Sequence, residues 1–217
     1  MSYLPCVEIE PNQAATHAII WLHGLGADGN DFAPLVPHLT PPVAVRFVFP
    51  HAPQIPVTIN GGMRMPAWYD ILNMSIDREV DETQLRASAS AVHQLIEREI
   101  ERGIAPENII LAGFSQGGAV AYEAALTYAK PLRGLLALST YLATKDSIAL
   151  NQANKSLSIL VQHGTQDPVV PEALGAQAYA WLKQQGYAVN YQTFAMQHQV
   201  CAEQVQAINA WLQEVLA

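Results

Sequence analysis

The chain has 217 residues, half of them hydrophobic and 14% charged, with a formal net charge of -8 and an isoelectric point near 5.2. That is enough chain for one substantial core without disulfides or metals, and too apolar a composition for disorder. An acidic chain without a Lys/Arg cluster argues against nucleic acid and against attraction to anionic lipid.

The first residues, MSYLPCVEIEPNQ, lack a basic stretch followed by an apolar one, so no secretory leader is expected. No apolar run approaches the ~18 residues of a membrane span, and no integral membrane association is expected. Cys6 and Cys201 lack C-x-x-C or metal-ligand spacing; reduced thiols and a cytoplasmic location are the expectation, though a long-range bridge stays open.

In chain order, a strand near Cys6–Glu10 precedes the apolar strand HAIIWL at His17–Leu22. Pro34 and Pro37 keep any helix around Phe32–Leu39 short. Val43–Phe49, rich in β-branched and aromatic residues, is the next strand. Asp77–Arg102 predicts a long amphipathic helix, with Leu85, Ala89, Val92, Ile96 and Ile100 in one stripe and Gly103 as its stop. Strands at Gly134–Ser139, Leu157–Val161 and Val189–Phe194 alternate with helices over Pro171–Gln185 and Ala202–Leu216. This alternation predicts an α/β protein, a mostly parallel central sheet covered by helices on both faces, in a single domain over residues 1–217.

The stretch NIILAGFSQGGAVA, Asn108–Ala121, organises the rest. Its Gly113-Phe114-Ser115-Gln116-Gly117 is a G-x-S-x-G between a strand and a helix, the setting of the nucleophile elbow of α/β-hydrolases. A side chain at either flanking glycine would strike a neighbouring strand or helix. The bland alternative is a Gly-rich turn with an incidental serine, so the remaining parts must be found in the order this fold requires: serine, acid, histidine.

Asp167 lies in the loop Gly164–Pro171, after a strand and downstream of the elbow, which favours a catalytic over a turn-capping role. Of seven histidines only His198, between the last strand and last helix, follows Asp167. Imidazole, with an ordinary pKa near 6.5, can take the Ser115 proton and return it to a leaving group. His163 reads as a structural residue beneath the site. An oxyanion hole needs backbone N–H donors, and the H-G-x-G of His23–Gly26 supplies one at Leu25, the other being Gln116. Gly24–Gly29 also spells G-x-G-x-x-G, the dinucleotide fingerprint. That reading expects an acidic residue about 20 positions on, and there is no Asp or Glu between Asp31 and Asp70. An NAD-dependent oxidoreductase is therefore disfavoured.

With HGLGADG, GFSQGG, HGTQDPVVP and MQHQVC in place, nearly the whole chain resembles the acyl-protein thioesterase/lysophospholipase branch of the carboxylesterases. The resemblance implies an α/β-hydrolase fold and a serine esterase or thioesterase with Ser115, Asp167 and His198 as triad, without metal or cofactor. The family usually has Gly before the histidine; here it is Gln197, which puts the local loop geometry in doubt. Too few residues separate Ser139 from Leu157 for a helical cap domain, so an open site is expected. The loop Pro50–Ile71 is the expected acyl-contact region, and similarity to the family places Met65 and Trp68 at the site rim as substrate contacts. By resemblance a homodimer is also an expectation, since an open apolar rim invites burial. The substrate is expected to be a small ester, an acylated protein or a lysophospholipid. A non-catalytic ligand-binding protein on the same fold is the remaining rival.

Overall fold

The computed structural model describes residues 3–73 and 78–217. In chain order the elements are β1 (Cys6–Ile9), β2 (His17–Leu22), β3 (Val45–Pro50), β4 (Gln54–Val57), β5 (Met63–Pro66), β6 (Ile71–Asn73) and β7 (Glu79–Val80). Then come α1 (Glu82–Glu101), β8 (Ile109–Phe114), α2 (Gln116–Thr127), β9 (Gly134–Leu138), β10 (Ser158–Gly164), α3 (Glu172–Gln184), β11 (Val189–Phe194) and α4 (Ala202–Val215). Seven strands form the main sheet in the order β1-β3-β2-β8-β9-β10-β11. Only β1 runs antiparallel, pairing Cys6 with Pro50; the other pairings are parallel.

The period of two along each strand divides the core between two faces. Ala18, Ile20 and Leu22 of β2 join Leu111 of β8 and Val161 of β10 under α1, α2 and α3. Ile19 and Trp21, Ala112 and Leu160 face the other way, onto Ile208, Trp211 and Leu212 of α4. Helices cover both faces, and no strand edge lies next to the elbow: β8 is flanked by β2 and β9. This is the α/β-hydrolase fold, without a cap domain between β9 and β10.

Two differences from the sequence expectation have physical causes. The long helix starts at Glu82 rather than Asp77, which lies outside the described residues. Glu79 and Val80 instead pair antiparallel with Asn73 and Ile71, and Asp81 caps the helix by accepting from the Gln84 N–H at 3.0 Å. Glu79, Asp81 and Glu82 are thus a strand residue, the cap and the first helical residue. The second difference is the expected acyl-contact loop, which contains a hairpin: β4 pairs with β5 from Gln54↔Pro66 to Val57↔Met63. Its turn closes through Gly61 and Gly62, both at positive φ.

Candidate active site

Ser115 sits between the last residue of β8 and the first of α2, with φ 53° and ψ −121°. A non-glycine residue in that region costs roughly 1–3 kcal/mol and persists only if its surroundings hold it. Here they do. The Ser115 N–H donates to the Leu138 carbonyl at 2.9 Å, and its own carbonyl accepts from the Gly118 N–H at 3.0 Å and the Thr140 hydroxyl at 2.6 Å. The glycines on either side are required by close approach. A Cβ at Gly113 would stand 2.4 Å from the Gly117 carbonyl oxygen, and one at Gly117 would stand 2.4 Å from that of His23. The turn therefore presses α2 directly against the end of β2.

The loop after β2 is fixed by His23, which is buried. The Ala52 N–H donates to its Nε2 at 3.1 Å, so Nδ1 carries the hydrogen and donates to the Gly24 carbonyl at 2.7 Å. Burial holds the His23 pKa below the ordinary value, against the opposing effect of the Gly24 carbonyl, which keeps this neutral tautomer in place. The Gly26 N–H is taken by the Pro66 carbonyl at 2.8 Å. Leu25 lies between, and Gln116, as the first residue of α2, has an N–H without an intrahelical acceptor. Both residues line one cavity of about 50 Å³ together with Ser115.

Asp167 and His198 are brought together. The Asp167 side chain is fully buried, and its Oδ2 accepts from His198 Nδ1 at 2.6 Å. Its Oδ1 accepts the N–H groups of Val169 at 2.9 Å and Val170 at 2.8 Å. Burial alone would raise this carboxyl's pKa; the His198 bond and the two amides outweigh it and hold the pKa below the ordinary value. With Nδ1 donating to the acid, Nε2 is the basic nitrogen of His198. The ring packs on Phe114, the residue before Ser115, centroid to centroid 4.7 Å. His163 lies below: its Nε2 donates to the Val170 carbonyl at 2.8 Å and stands 3.6 Å from the same acid. Burial lowers its pKa as well.

Gln197, the departure before the histidine, is exposed. Among the described residues only Ser115 and Ser139 are non-glycines at positive φ. No left-handed backbone is needed at position 197, so a glutamine there only adds a side chain to solvent. The glycine the loop does need is Gly164, whose Cβ would fall 2.4 Å from the Met196 carbonyl oxygen.

The two expected substrate contacts part ways. Met65 is half-buried and lies beside Gly26 of the loop after β2, with the Asn60 amide 3.1 Å from its sulfur. Trp68 is not on a rim: it is 1% exposed, its indole N–H donates to the His23 carbonyl at 2.8 Å and its ring packs on His23. Its place is behind the loop after β2, as a support. Sequence reasoning also missed the side chain of Gln116. Its Oε1 accepts the Trp68 N–H at 2.9 Å and its Nε2 donates to the Tyr69 carbonyl at 2.7 Å, tying α2 to the segment after β5. A glutamine after the serine of a G-x-S-x-G carries no recognisable pattern for such a link; only the fold reveals it.

The G-x-G-x-x-G loop is followed by a 3-10 turn, Ala33–His38, and no α-helix, so the fingerprint lacks the helix N-terminus that would hold a pyrophosphate. Among the described residues no three His, Cys, Asp or Glu side chains come together as a metal site, and no helix is long and apolar enough to cross a membrane.

Known proteins agree with this architecture. Acyl-protein thioesterase 1 of Gibberella zeae is 37% identical over 93% of this chain and 91% of its own length. The protein of the same name from Schizosaccharomyces pombe is 39% identical over 82% of this chain and 81% of its own. The crystal structure of Arabidopsis thaliana SOBER1 superposes with a TM-score of 0.86 at 30% identity, covering 93% of this chain and 99% of that one. Zea mays acyl-protein thioesterase 2 gives 0.85 at 26%, over 99% and 100% of the two chains. The phospholipase/carboxylesterase family model matches residues 5–216, and the chain belongs to that family of hydrolases.

Proposed function

We propose that this chain is a serine hydrolase that cleaves carboxylic esters or thioesters through an acyl-enzyme. Ser115 Oγ attacks the acyl carbonyl while His198 Nε2 takes its proton, and the Leu25 and Gln116 amides stabilise the oxyanion. Collapse of the tetrahedral intermediate breaks the bond to the alcohol or thiol, which leaves with the proton from His198. Water then repeats the sequence on the acyl-enzyme, giving up its proton to His198 and releasing the acid. Asp167 fixes the tautomer and offsets the charge of the imidazolium. The observations that carry this reading are the 2.6 Å bond between Asp167 and His198 Nδ1, the packing of His198 on Phe114, and the strained backbone angles of Ser115, which follows it. Acyl-protein thioesters are one substrate class, suggested by the names of the relatives; lysophospholipids and small esters are the others.

The test is kcat/KM for p-nitrophenyl esters from acetate to palmitate, with fluorophosphonate labelling followed by peptide mass mapping. Turnover by wild type, a loss of roughly 10⁴-fold or more in Ser115→Ala, and label on Ser115 are expected. Retained ligand binding without turnover or labelling would instead make the chain a binding protein on this fold.

A further inference from the structure

One buried titratable ring takes no part in the proton transfers above. The side chain of His163, near the end of β10, is fully buried, and its ring stands between the loop that carries Asp167 and α3. A Cβ at Gly175 of α3 would lie 2.4 Å from its Nδ1, so the helix lacks a side chain just where the ring needs room.

The surroundings select one tautomer. Nε2 faces two oxygens, the Val170 carbonyl at 2.8 Å and Asp167 Oδ2 at 3.6 Å, whereas the buried Nδ1 has no partner among the described residues. With the hydrogen on Nδ1, a donor would be orphaned and a lone pair would point at both oxygens. With it on Nε2, only an acceptor is left over. Burial outweighs the pull of the Val170 carbonyl and of the Asp167 and Glu172 carboxylates, and a charge on His198 acts in the same direction as burial, so the ring stays neutral.

The loop itself offers the Val170 carbonyl little. Pro168 and Pro171 carry no N–H, and the N–H groups of Val169 and Val170 both go to Asp167 Oδ1. His163 therefore completes a chain. Its Nε2–H donates to the Val170 carbonyl, the Val170 N–H donates to Asp167 Oδ1 at 2.8 Å, and Oδ2 accepts from His198 Nδ1 at 2.6 Å. The next residue, Gly164, packs on the Met196 carbonyl, so one strand end meets both the Asp167 loop and the His198 loop.

We propose that His163 is a positioning residue for the reaction: through Val170 it holds the Asp167 carboxylate in the orientation His198 needs, and it turns an N–H edge toward the carboxylate oxygen that faces the imidazolium. This rests on the ester-hydrolase reading above. His163 touches neither the substrate nor the reacting atoms. Without its N–H edge, Oδ2 would be a less compensated anion and would hold a proton on His198 more firmly.

The experiment follows kcat and KM against pH for a p-nitrophenyl ester in wild type, His163→Met and His163→Gln, with rates expressed per site titrated by fluorophosphonate and Ser115→Ala as background. Methionine fills the space without a donor; glutamine carries an amide N–H that can reach the Val170 carbonyl. His163→Met should lower kcat by about 10- to 100-fold, the effect of slightly misplaced catalytic groups, with KM little changed. Its acidic limb should move to higher pH by about half a unit, because His198 must lose a more firmly held proton to act as base. Glutamine should restore most of kcat and the wild-type limb. A ring that only fills the core would lower Tm and the number of titratable sites while kcat per site and the limb stay at wild type; that result, or identical kcat and limbs in the two variants, would overturn the inference. The wild type supplies a measurement that needs no variant to fold, the nitrogen NMR shifts of isotope-labelled histidine. A neutral His163 protonated at Nε2 is expected at neutral pH, and an Nδ1–H tautomer or an imidazolium there would equally overturn the inference. Absence of Ser115-dependent turnover would overturn the hydrolase reading, and this inference with it.

Discussion

Two buried carboxylates sit at opposite ends of the sheet and are treated in opposite ways. Glu99, in the last turns of α1, is fully buried and meets three guanidiniums: Arg46 at 2.7 Å, Arg102 at 2.9 Å and Arg98 at 3.0 Å. Glu8 and Glu10 of the N-terminal segment close the network from outside, reaching Arg102 at 2.7 and 2.8 Å. Asp167, at the carboxyl end of β10, is hydrogen-bonded to the His198 imidazole and two amide N–H groups, with the His163 ring 3.6 Å away. Arginine is charged at every pH a protein meets, so Glu99 never loses its counter-charges. The partner of Asp167 becomes a cation only when His198 takes a proton. The first carboxylate is paired with fixed charge, which suits a tie between elements; under the proposed mechanism the second is paired with the ring that carries the moving proton.

The comparison can be broken by exchanging what each carboxylate loses. Asp167→Asn should lower kcat by about 10⁴-fold, through loss of the correct His198 tautomer, with a smaller change in Tm than the Glu99 variant. Glu99→Gln should do the reverse. Removing one member of a buried ion network costs roughly 3–5 kcal/mol, which for a domain of this size lowers Tm by about 6–20 °C, while kcat of the folded fraction stays at the wild-type value. Thermal melts and active-site titration of the same samples separate the two. Equal effects on both readouts in both variants would mean that the ends of the sheet are not independent.

Acidification sharpens the contrast. His23 and His163 have folded-state pKa values depressed by burial, so below about pH 6.5 the unfolded chain binds more protons than the folded one. Stability should therefore fall as pH drops from there, by at most about 1.4 kcal/mol per pH unit for each ring. The contribution of Asp167, whose pKa is lowered, is complete above its ordinary value near 3.9 and is lost only as pH falls below that. Urea midpoints between pH 7 and 5 should decline before any loss traceable to Asp167; a flat profile down to pH 4.5 would contradict the buried neutral rings. The smallest effect is reserved for Lys145→Ala. Its pair with Asp146 is 2.9 Å long but half-exposed on one side and 85% exposed on the other, and stability should move by less than about 0.5 kcal/mol.

What the sequence made legible follows the range of the forces involved. β2 and β11 match their expected bounds, because a run such as HAIIWL reads as a buried strand in any context. The elbow was legible from its G-x-S-x-G pattern, although only Gly113 is demanded by a contact a few residues away, while Gly117 is demanded by the distant end of β2. Asp167 and His198 could be named from chain order, yet their 2.6 Å contact joins residues 31 apart and needs the parallel pairing of β10 with β11. The start of α1 was misplaced because β7 exists only by pairing with β6, a tertiary event. Trp68 was misread for the same reason: a tryptophan in a Met-rich loop looks like a ligand contact until its indole is found bonded to His23.

The link from Gln116 to the segment after β5 has a consequence for how this scaffold can diversify. Its amide side chain reads only main-chain atoms, the N–H of Trp68 and the carbonyl of Tyr69. Side chains on the preceding hairpin, including the exposed Met63 and Arg64, can therefore change without loosening the anchor that keeps the elbow in register. Grafting experiments that swap Gln54–Pro66 between relatives, with Ala67–Asp70 left in place, should transfer acyl preference without retuning the nucleophile. In such a chimera, selection of the substrate and competence of the serine become separately heritable traits.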